Sequence, residues 1–386
     1  MEIIGIICEY NPLHIGHKKQ IDKIRLMYPD SRIVCLMSGN YVQRGAPAIF
    51  DKSLRAQAAI SCGADLVLEL PITAALSSAE GFASEGVRIL GSFCHKLCFG
   101  AECGSGNALL TTAKALLSEA FPKALRTQLD KGLSFPAARQ AALQAMGLSE
   151  NTLSNPNDIL ATEYCKAILT QNSTMEPLPI LREGNYHDTA IDTENPSASA
   201  LREQILSAGQ WLPYVPEQVH KHFQHAVAHS LSFGEQAILY RLRTMEDDAF
   251  AALPYGSEGL WRKLMHSARK YATLEEIIAA TKSKRYTRTR IDRMILCAFL
   301  GITEEDIFSP APYTRVLAFN DRGRDVLKIA RKAGCFPNAG EDTGTAYQAL
   351  EYRAGMIYSL FAANTTAPYQ EEDRRVLYLP TDNGRE

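Results

Sequence analysis

The sequence predicts an α/β protein: a doubly wound parallel sheet over residues 1–210, followed by a mainly α-helical second domain over residues 211–386. Three observations lead there. Short β-branched apolar runs alternate with amphipathic helical stretches through residue 205. Strand-like runs then nearly vanish after Trp211. The join, LPYVPEQ, carries Pro213 and Pro216, which mark a non-helical connection.

Within the first domain, Ile3 to Cys8, Arg32 to Met37, Asp65 to Leu70, Lys96 to Gly100 and Leu178 to Arg182 are apolar on consecutive positions, the pattern of strands covered on both faces. Between them, Ile15 to Met27, Ser53 to Cys62 and Ala79 to Leu90 repeat apolar residues at i, i+3 and i+4, as helices packing on a sheet do. Ligands of such folds bind at the carboxyl ends of the strands, so chemistry is expected in the loops that begin near residues 9, 38, 71 and 100. Downstream, long Pro-poor amphipathic runs such as SEGLWRKLMHSARKYATLEEIIAATKSKRY read as helices. The last twenty residues read as a strand and a loose polar tail, TDNGRE.

At 386 residues the chain exceeds what one hydrophobic core usually organises, and 46% hydrophobic with 22% charged residues is ordinary for a globular protein. No apolar run approaches the roughly 20 residues of a membrane span, and Met1 runs directly into EIIGIICEYNP without a basic leader. The expectation is a cytoplasmic protein with no membrane partner. Nine cysteines, odd in number and scattered from Cys8 to Cys335, read as reduced thiols and not as a disulfide framework. Cys94, His95, Cys98 and Cys103 form the one cluster worth testing for zinc; they lack the paired CxxC spacing, and LCFG reads as a buried strand.

Charge is distributed unevenly. Residues 262–293 hold ten basic side chains against three acidic ones, a local excess of +7 that leaves −9 for the rest of a chain whose net charge is −2. Such a patch on an acidic protein directs a polyanion to one face. In KSKRYTRTRIDR, Lys282, Lys284, Arg285, Arg288, Arg290 and Arg293 surround Tyr286, a combination suited to single-stranded RNA, although a solvated helix face has the same composition.

The strongest local motif follows the first strand, in CEYNPLHIGHKKQI. Asn11-Pro12 turns the chain, a helix begins near His14, and His14 and His17 fall on one face of its first turn. Gly16 between them allows a ligand to approach the backbone. A helix N-terminus favours phosphate, and two imidazoles there can donate to oxygens that gain charge as pyrophosphate leaves. Two capping histidines are the alternative; a zinc pair would want i, i+4 spacing and a third ligand. Near the end of the first domain, NPSASALREQI puts Ser197 and Ser199 at a helix start and Arg202 one turn in, either a phosphate-binding element or a plain N-cap.

The runs EYNPLHIGH, MSGNYVQRGAPA, DKSLRAQAAISCGADLVLELP, LCFGAE, LSNPNDILATEY and KSKRYTRTRIDRM resemble the tRNA(Met) cytidine acetate ligase family, most densely over residues 1–205. NPSASALR also resembles the ISSTxIR motif of HxGH nucleotidyltransferases, with Ala198 in place of a serine and Leu201 in place of isoleucine. The resemblance implies an HxGH nucleotidyltransferase-like Rossmann domain. It also implies an enzyme that uses ATP to ligate acetate, through acetyl-adenylate, to N4 of the wobble cytidine of elongator tRNA(Met), giving N4-acetylcytidine.

By the resemblance, His14 and His17 are catalytic, and ATP contacts fall on Ile6, Ile7, Cys8, Glu9, Tyr10, Asn11, Pro12, Leu13, His14, Ile15, Gly16, His17, Lys18 and Lys19. They fall also on Gly100, Asn157 and Arg182, with Ser197, Ser199 and Arg202 at the phosphates. Mg²⁺ is expected on the nucleotide and in no dedicated protein site. Ser38, Gln43, Arg44 and Lys52 on the second strand's loop are placed to shape an acetate pocket or touch phosphate, and Tyr186, His187 and Asp188 to face the acceptor.

Two other functions fit parts of the sequence. A nucleotidyltransferase acting on a phosphorylated small molecule explains HxGH but leaves the basic helical region without a role. A non-catalytic RNA-binding protein explains the basic region, against intact histidines and an intact Ser/Arg element.

Overall fold

The computed structural model describes residues 1–103, 105–148, 153, 155–181, 196–334, 343–369, 371 and 374–381. Its chain begins with β1 (Ile3–Cys8), α1 (Ile15–Met27) and β2 (Arg32–Ser38), then a small hairpin of β3 (Tyr41–Val42) and β4 (Ala46–Pro47). There follow α2 (Lys52–Ser61), β5 (Leu66–Leu70), α3 (Ile72–Ala75), α4 (Ala79–Leu90) and β6 (Lys96–Ala101). Helices α5 (Gly106–Leu117), α6 (Ala120–Leu129), α7 (Phe135–Ala145) and α8 (Pro156–Thr170) lead to β7 (Glu176–Leu181) and α9 (Ala198–Leu206). A helical stretch then comprises α10 (His220–Phe223), α11 (Glu235–Thr244), α12 (Asp247–Ala251), α13 (Leu260–Lys270), α14 (Leu274–Thr281), α15 (Arg288–Leu300) and α16 (Glu304–Phe308). The chain closes with β8 (Val316–Phe319), α17 (Asp321–Lys332), α18 (Ala346–Tyr358) and β9 (Leu377–Tyr378).

Seven strands form one sheet in the order β7-β6-β1-β2-β5-β8-β9. All neighbours are parallel except β5 and β8, so the sheet is the doubly wound one expected, with one reversed junction. β1 lies inside it, between β2 and β6: Ile6 registers with Cys35 of β2 on one side and with Cys98 of β6 on the other. The chain therefore winds outward in opposite directions from β1, and the crevice where such winding reverses is where doubly wound folds bind ligands.

The period-two alternation of a strand divides the core into two layers. Ile3, Ile7, Val34 and Leu36 join α4, α5, α8 and α17 on one face. Ile4, Ile6, Cys35 and Met37 join α1 and α2 on the other. The cysteine cluster is split between the layers: Cys94, before β6 begins, belongs to the first and Cys98, within β6, to the second, while His95 Nδ1 accepts from Ile3 N at 3.0 Å. A third core is helical, from Ile238 to Ile302 and Leu350 to Phe361.

Residues 211–308 are strand-poor as expected, and β9 falls in the last twenty residues where a strand was expected; β8 is the strand that was not foreseen. β8 and β9 complete the far edge of the sheet, where four-residue VLAF takes its pairing from β5. The polar tail beyond residue 381 lies outside the described residues.

Arg374, just before β9, fastens that edge to the N-terminus of α2. Its guanidinium grips Asp51 through Nη1 to Oδ1 at 3.0 Å and Nη2 to Oδ2 at 2.7 Å, while Asp51 also accepts from Ser53 N. Burial pushes the Asp51 carboxyl upward, but the Arg374 hydrogen bonds and charge outweigh it and hold its pKa at about 2, below the ordinary 3.8. A depressed carboxylate contributes stability above its unfolded pKa and loses it as pH falls through the folded one. Unfolding in urea should therefore show a loss of roughly 2 kcal/mol between pH 4 and 2 from this pair. In Arg374→Met that pH-dependent component should disappear, and an unchanged acid limb would contradict the assignment.

Candidate functional site

A cleft of about 750 Å³ opens over the carboxyl ends of β1, β2, β6 and β7. Its floor and one wall come from the turn between β1 and α1. His14 is the N-cap of α1, with its ring Nδ1 accepting from Gly16 N at 3.1 Å; His17 Nδ1 accepts in turn from His14 N at 3.3 Å. The two histidines thus form a reciprocal capping box, and their rings stack with centroids 3.8 Å apart. Because each Nδ1 accepts from an amide, the neutral rings carry their protons on Nε2. Both rings line the cleft, so they present N–H donors at a helix N-terminus.

Gly16 has a more local reason than ligand approach. A Cβ there would lie 2.9 Å from His14 Cε1, so the glycine makes room for the capping ring.

Of the run from Ile6 to Lys19, the residues Ile6 to Asn11, His14, Gly16, His17 and Lys19 line the cleft. Leu13 is buried in the second core layer, and Lys18 pairs with Asp22 at 2.5 Å; neither they nor Pro12 and Ile15 belong to the lining. Gln20 and Lys23, one and two turns along α1, join it without having been singled out in the sequence.

Across the sheet, Gly100 and Asn157 form the β6 side. Asn157 and the backbone of Asp158 donate to Glu102, and Asp158 accepts from Glu102 N and Cys103 N, which locks the end of β6 to the start of α8. Ser197 caps α9 by accepting from Ala200 N, and both it and Ser199 line the cleft. Arg202 donates to Asn11 O at 2.7 Å and to Ser199 Oγ at 3.0 Å, joining the two helix starts. Burial, joined by the like charge of Arg44, brings its pKa down to about 10. Among the described residues, the lining holds the basic side chains Lys19, Lys23, Arg44 and Arg202 and one acidic side chain, Glu9.

Arg182, Tyr186, His187 and Asp188 lie outside the described residues. Of the loop after β2, Gln43 and Arg44 reach the cleft; Lys52 instead salt-bridges buried Glu69 and Glu371, each at 2.8 Å, and Ser38 is fully buried.

The profile of the HIGH Nucleotidyl Transferase family matches residues 1–373. The tRNA(Met) cytidine acetate ligase of Clostridium acetobutylicum is 36% identical over 98% of this chain and 100% of its own; that of Clostridium tetani is 37% identical over 87% and 89%. The chain belongs to the tRNA(Met) cytidine acetate ligase family. Crystal structures of Thermotoga maritima TmcAL, 27% identical, superpose over 99% of the chain and all of theirs, with a TM-score of 0.90 for the apo form and 0.88 for the form bound with alpha-thio ATP.

In this ligase the basic segment borders the cleft. Thr289, in the first turn of α15, is part of the lining, and Gly45, with φ of +81° in the β3–β4 turn, has no room for a Cβ, which would lie 2.4 Å from Arg293 N. Lys282, Lys284 and Arg285 are exposed. Arg288 pairs with Glu275 and Asp292, and Arg290 donates to Tyr255 O and Ser257 Oγ. Arg293 is 9% exposed, lies over the Tyr255 ring and donates to Gln43 O, tying the segment to the β2 loop. Tyr286 is a core residue, 8% exposed with its hydroxyl donating to Glu258 O at 2.6 Å, so it is not the exposed stacking ring its sequence context suggests.

Arg55 went unnoticed in the sequence, yet it shapes the cleft's floor. Fully buried, it donates through Nε to Phe50 O at 2.9 Å, through Nη1 to Glu9 O at 2.6 Å and Ser38 O at 3.1 Å, and through Nη2 to Gly39 O. Arg55→Met keeps most of the stem and strands those carbonyls. Its unfolding free energy in urea should drop by about 2–4 kcal/mol, and a midpoint equal to wild type would show that water replaces the guanidinium without cost.

Proposed function

We propose that the protein activates acetate with ATP to form acetyl-adenylate and transfers the acetyl group to N4 of the wobble cytidine of elongator tRNA(Met), giving N4-acetylcytidine. The observation that carries this reading is the presence of the HxGH pair with Arg202 and Ser199 in one cleft. The names of the relatives supply the acceptor and the acyl group.

In the first step an acetate oxygen attacks the α-phosphate of ATP and pyrophosphate leaves. Negative charge shifts onto the β- and γ-phosphate oxygens, where Nε2–H of His14 and His17, the amides opening α1 and α9, and the cations Lys19, Lys23, Arg44 and Arg202 can receive it. Cys8, Gly100, Asn157 and the neighbouring β1 residues hold the nucleoside over the crevice. Among the described residues no group of three His, Cys, Asp or Glu could hold a metal, and Glu9 Oε1 already accepts from Gln43 N. Mg²⁺ would accompany the triphosphate, and no step is routed through it.

In the second step the cytosine amine, a poor nucleophile because its lone pair is delocalised into the ring, meets a mixed anhydride held in place; positioning supplies much of the acceleration. The exposed Lys282, Lys284 and Arg285, with Arg288, Arg290 and Arg293 behind them, serve as the RNA-binding edge, and residues 211–386 as the tRNA-binding domain. No described helix is long and apolar enough to cross a membrane, in keeping with an enzyme that acts on tRNA.

His14→Asn retains an N-cap while removing the imidazole, so it separates capping from chemistry. It and His17→Gln should lower acetate-dependent pyrophosphate release by roughly 10²–10³-fold with little change in melting temperature. Label from acetate, and not from acetyl-CoA, should enter the RNA; acetyl-CoA serving alone would overturn the adenylate route.

Lys284→Glu with Arg285→Glu should weaken tRNA binding and flatten its salt dependence by roughly one unit of slope per lost phosphate contact. Pyrophosphate release without RNA should stay near wild type; an equal fall in both measurements would place these residues in the adenylating site.

A further inference from the structure

The segment from Ile6 to Lys19 carries one negative side chain, Glu9, and among the described residues it is the one carboxylate in the cleft lining. A carboxylate is electrostatically out of place beside acetate and a triphosphate, anions that it repels. The fold nevertheless fixes it at both ends. Arg55 Nη1 donates to Glu9 O at 2.6 Å, and Gln43 N donates to Oε1 at 2.7 Å. Oε2 accepts from no described residue and is not shut away from solvent, in a residue that is half-buried in the lining.

Acetyl transfer needs a proton acceptor, because the cytosine amine must surrender a hydrogen as it becomes an amide. The other titratable groups of the described lining do not offer one. His14 and His17 use Nδ1 to accept from amides and hold their hydrogens on Nε2. Burial pushes the pKa values of Cys8, Tyr10 and Tyr164 well above their ordinary ones, which keeps those groups protonated. His229 Nε2 is buried out of reach of solvent. Lysine and arginine cations only donate.

Gln43 also ties Glu9 to the basic helix. Its N–H donates to the carboxylate and its carbonyl accepts from Arg293 Nη1 of α15 at 3.2 Å, so one residue stands between the end of β1 and the helix read as the RNA edge. Thr289, in the first turn of α15, is itself part of the lining. In nucleic-acid recognition a carboxylate is the side chain that accepts from the exocyclic N4 amine of cytosine.

We propose that Oε2 of Glu9 accepts a hydrogen bond from the cytosine N4 amine and receives its proton during acetyl transfer; this rests on the acetate-ligase reading given above. The amine nitrogen bonds to the acetyl carbonyl carbon, and the bond from that carbon to the phosphate oxygen breaks with its electron pair leaving on AMP. The amine proton passes to Oε2 and then to water, so the products are N4-acetylcytidine, AMP and a proton. The Gln43 amide occupies Oε1 and leaves Oε2 as the reacting oxygen.

The test uses the whole enzyme and an unmodified tRNA(Met) transcript in single-turnover transfer from preformed acetyl-adenylate. Hydroxylamine, a strong nucleophile that captures acyl adenylates without a catalytic base, serves as a second acceptor in turnover with ATP and acetate. Glu9→Gln keeps a carbonyl oxygen for Gln43 N and cannot take the proton; Glu9→Asp keeps the carboxylate on a shorter stem. Glu9→Gln should slow transfer to tRNA by roughly 10²–10³-fold, a larger loss than it shows in acetyl-hydroxamate formation, and Glu9→Asp should transfer faster than Glu9→Gln. Wild-type transfer in Glu9→Gln, or a Glu9→Asp enzyme no faster than Glu9→Gln, would overturn the proposal. So would a loss no greater for tRNA than for hydroxylamine, the result expected of a side chain that serves the triphosphate or its Mg²⁺. A wild-type enzyme that forms hydroxamate and never acetylates the transcript would instead overturn the functional reading, and this inference with it.

Discussion

Arg55 carries its charge into the interior with backbone carbonyls as its hydrogen-bond acceptors, those of Glu9, Ser38, Gly39 and Phe50. β1 ends at Cys8 and β2 at Ser38, so Glu9, Ser38 and Gly39 are where two paired strands stop sharing hydrogen bonds. Buried carbonyls must find donors once the ladder ends, and one planar guanidinium from α2 supplies them at once. Burial depresses its pKa, the measure of how much the ion loses on leaving water. With those carbonyls satisfied, β1 can turn into the HxGH segment while β2 diverges into the β3–β4 hairpin. The cleft is the space that this divergence leaves.

A second buried ionic cluster fastens the helical core to the sheet. Lys52 bridges Glu69 and Glu371, Arg315 reaches Glu69, Glu351 and Glu371, and Arg374 holds Asp51. Three cations among four carboxylates leave one negative charge in surplus. Burial raises the pKa of Glu351, while the charges of Arg315 and Lys52 outweigh burial and hold that of Glu69 down. Glu351 Oε1 also accepts from Ile72 N, and the hydroxyls of Tyr41 and Tyr358 donate across the same junction to Ala354 O and Ala48 O. Such clusters give specificity of docking more than net stability. Here the docking sets where His229 and Thr289 stand against the β2 loop.

These constraints explain what was legible in the sequence. β1, β2, β5 and α1 could be read to within a residue because their apolar periods are local, and the HxGH pair because a helix N-terminus is built from adjacent residues. Arg55 could not, since in KSLRAQAAIS it looks like one more surface cation and only the distant carbonyls reveal otherwise. Tyr286 misled for the converse reason: an aromatic in a basic run suggests stacking on bases, whereas helical packing claims its ring. β8 is four residues long and exists as a strand because β5 offers an edge.

Backbone geometry fixes the hydrogen-bonding character of the HxGH pair. Amides of the α1 turn donate to Nδ1 of His14 and His17 and leave Nε2–H as the donors, suited to charge that grows on oxygen. A histidine in free exchange between tautomers would present that character only part of the time; here the turn that caps the helix assigns it, so the same two hydrogen bonds that start α1 also orient its donors.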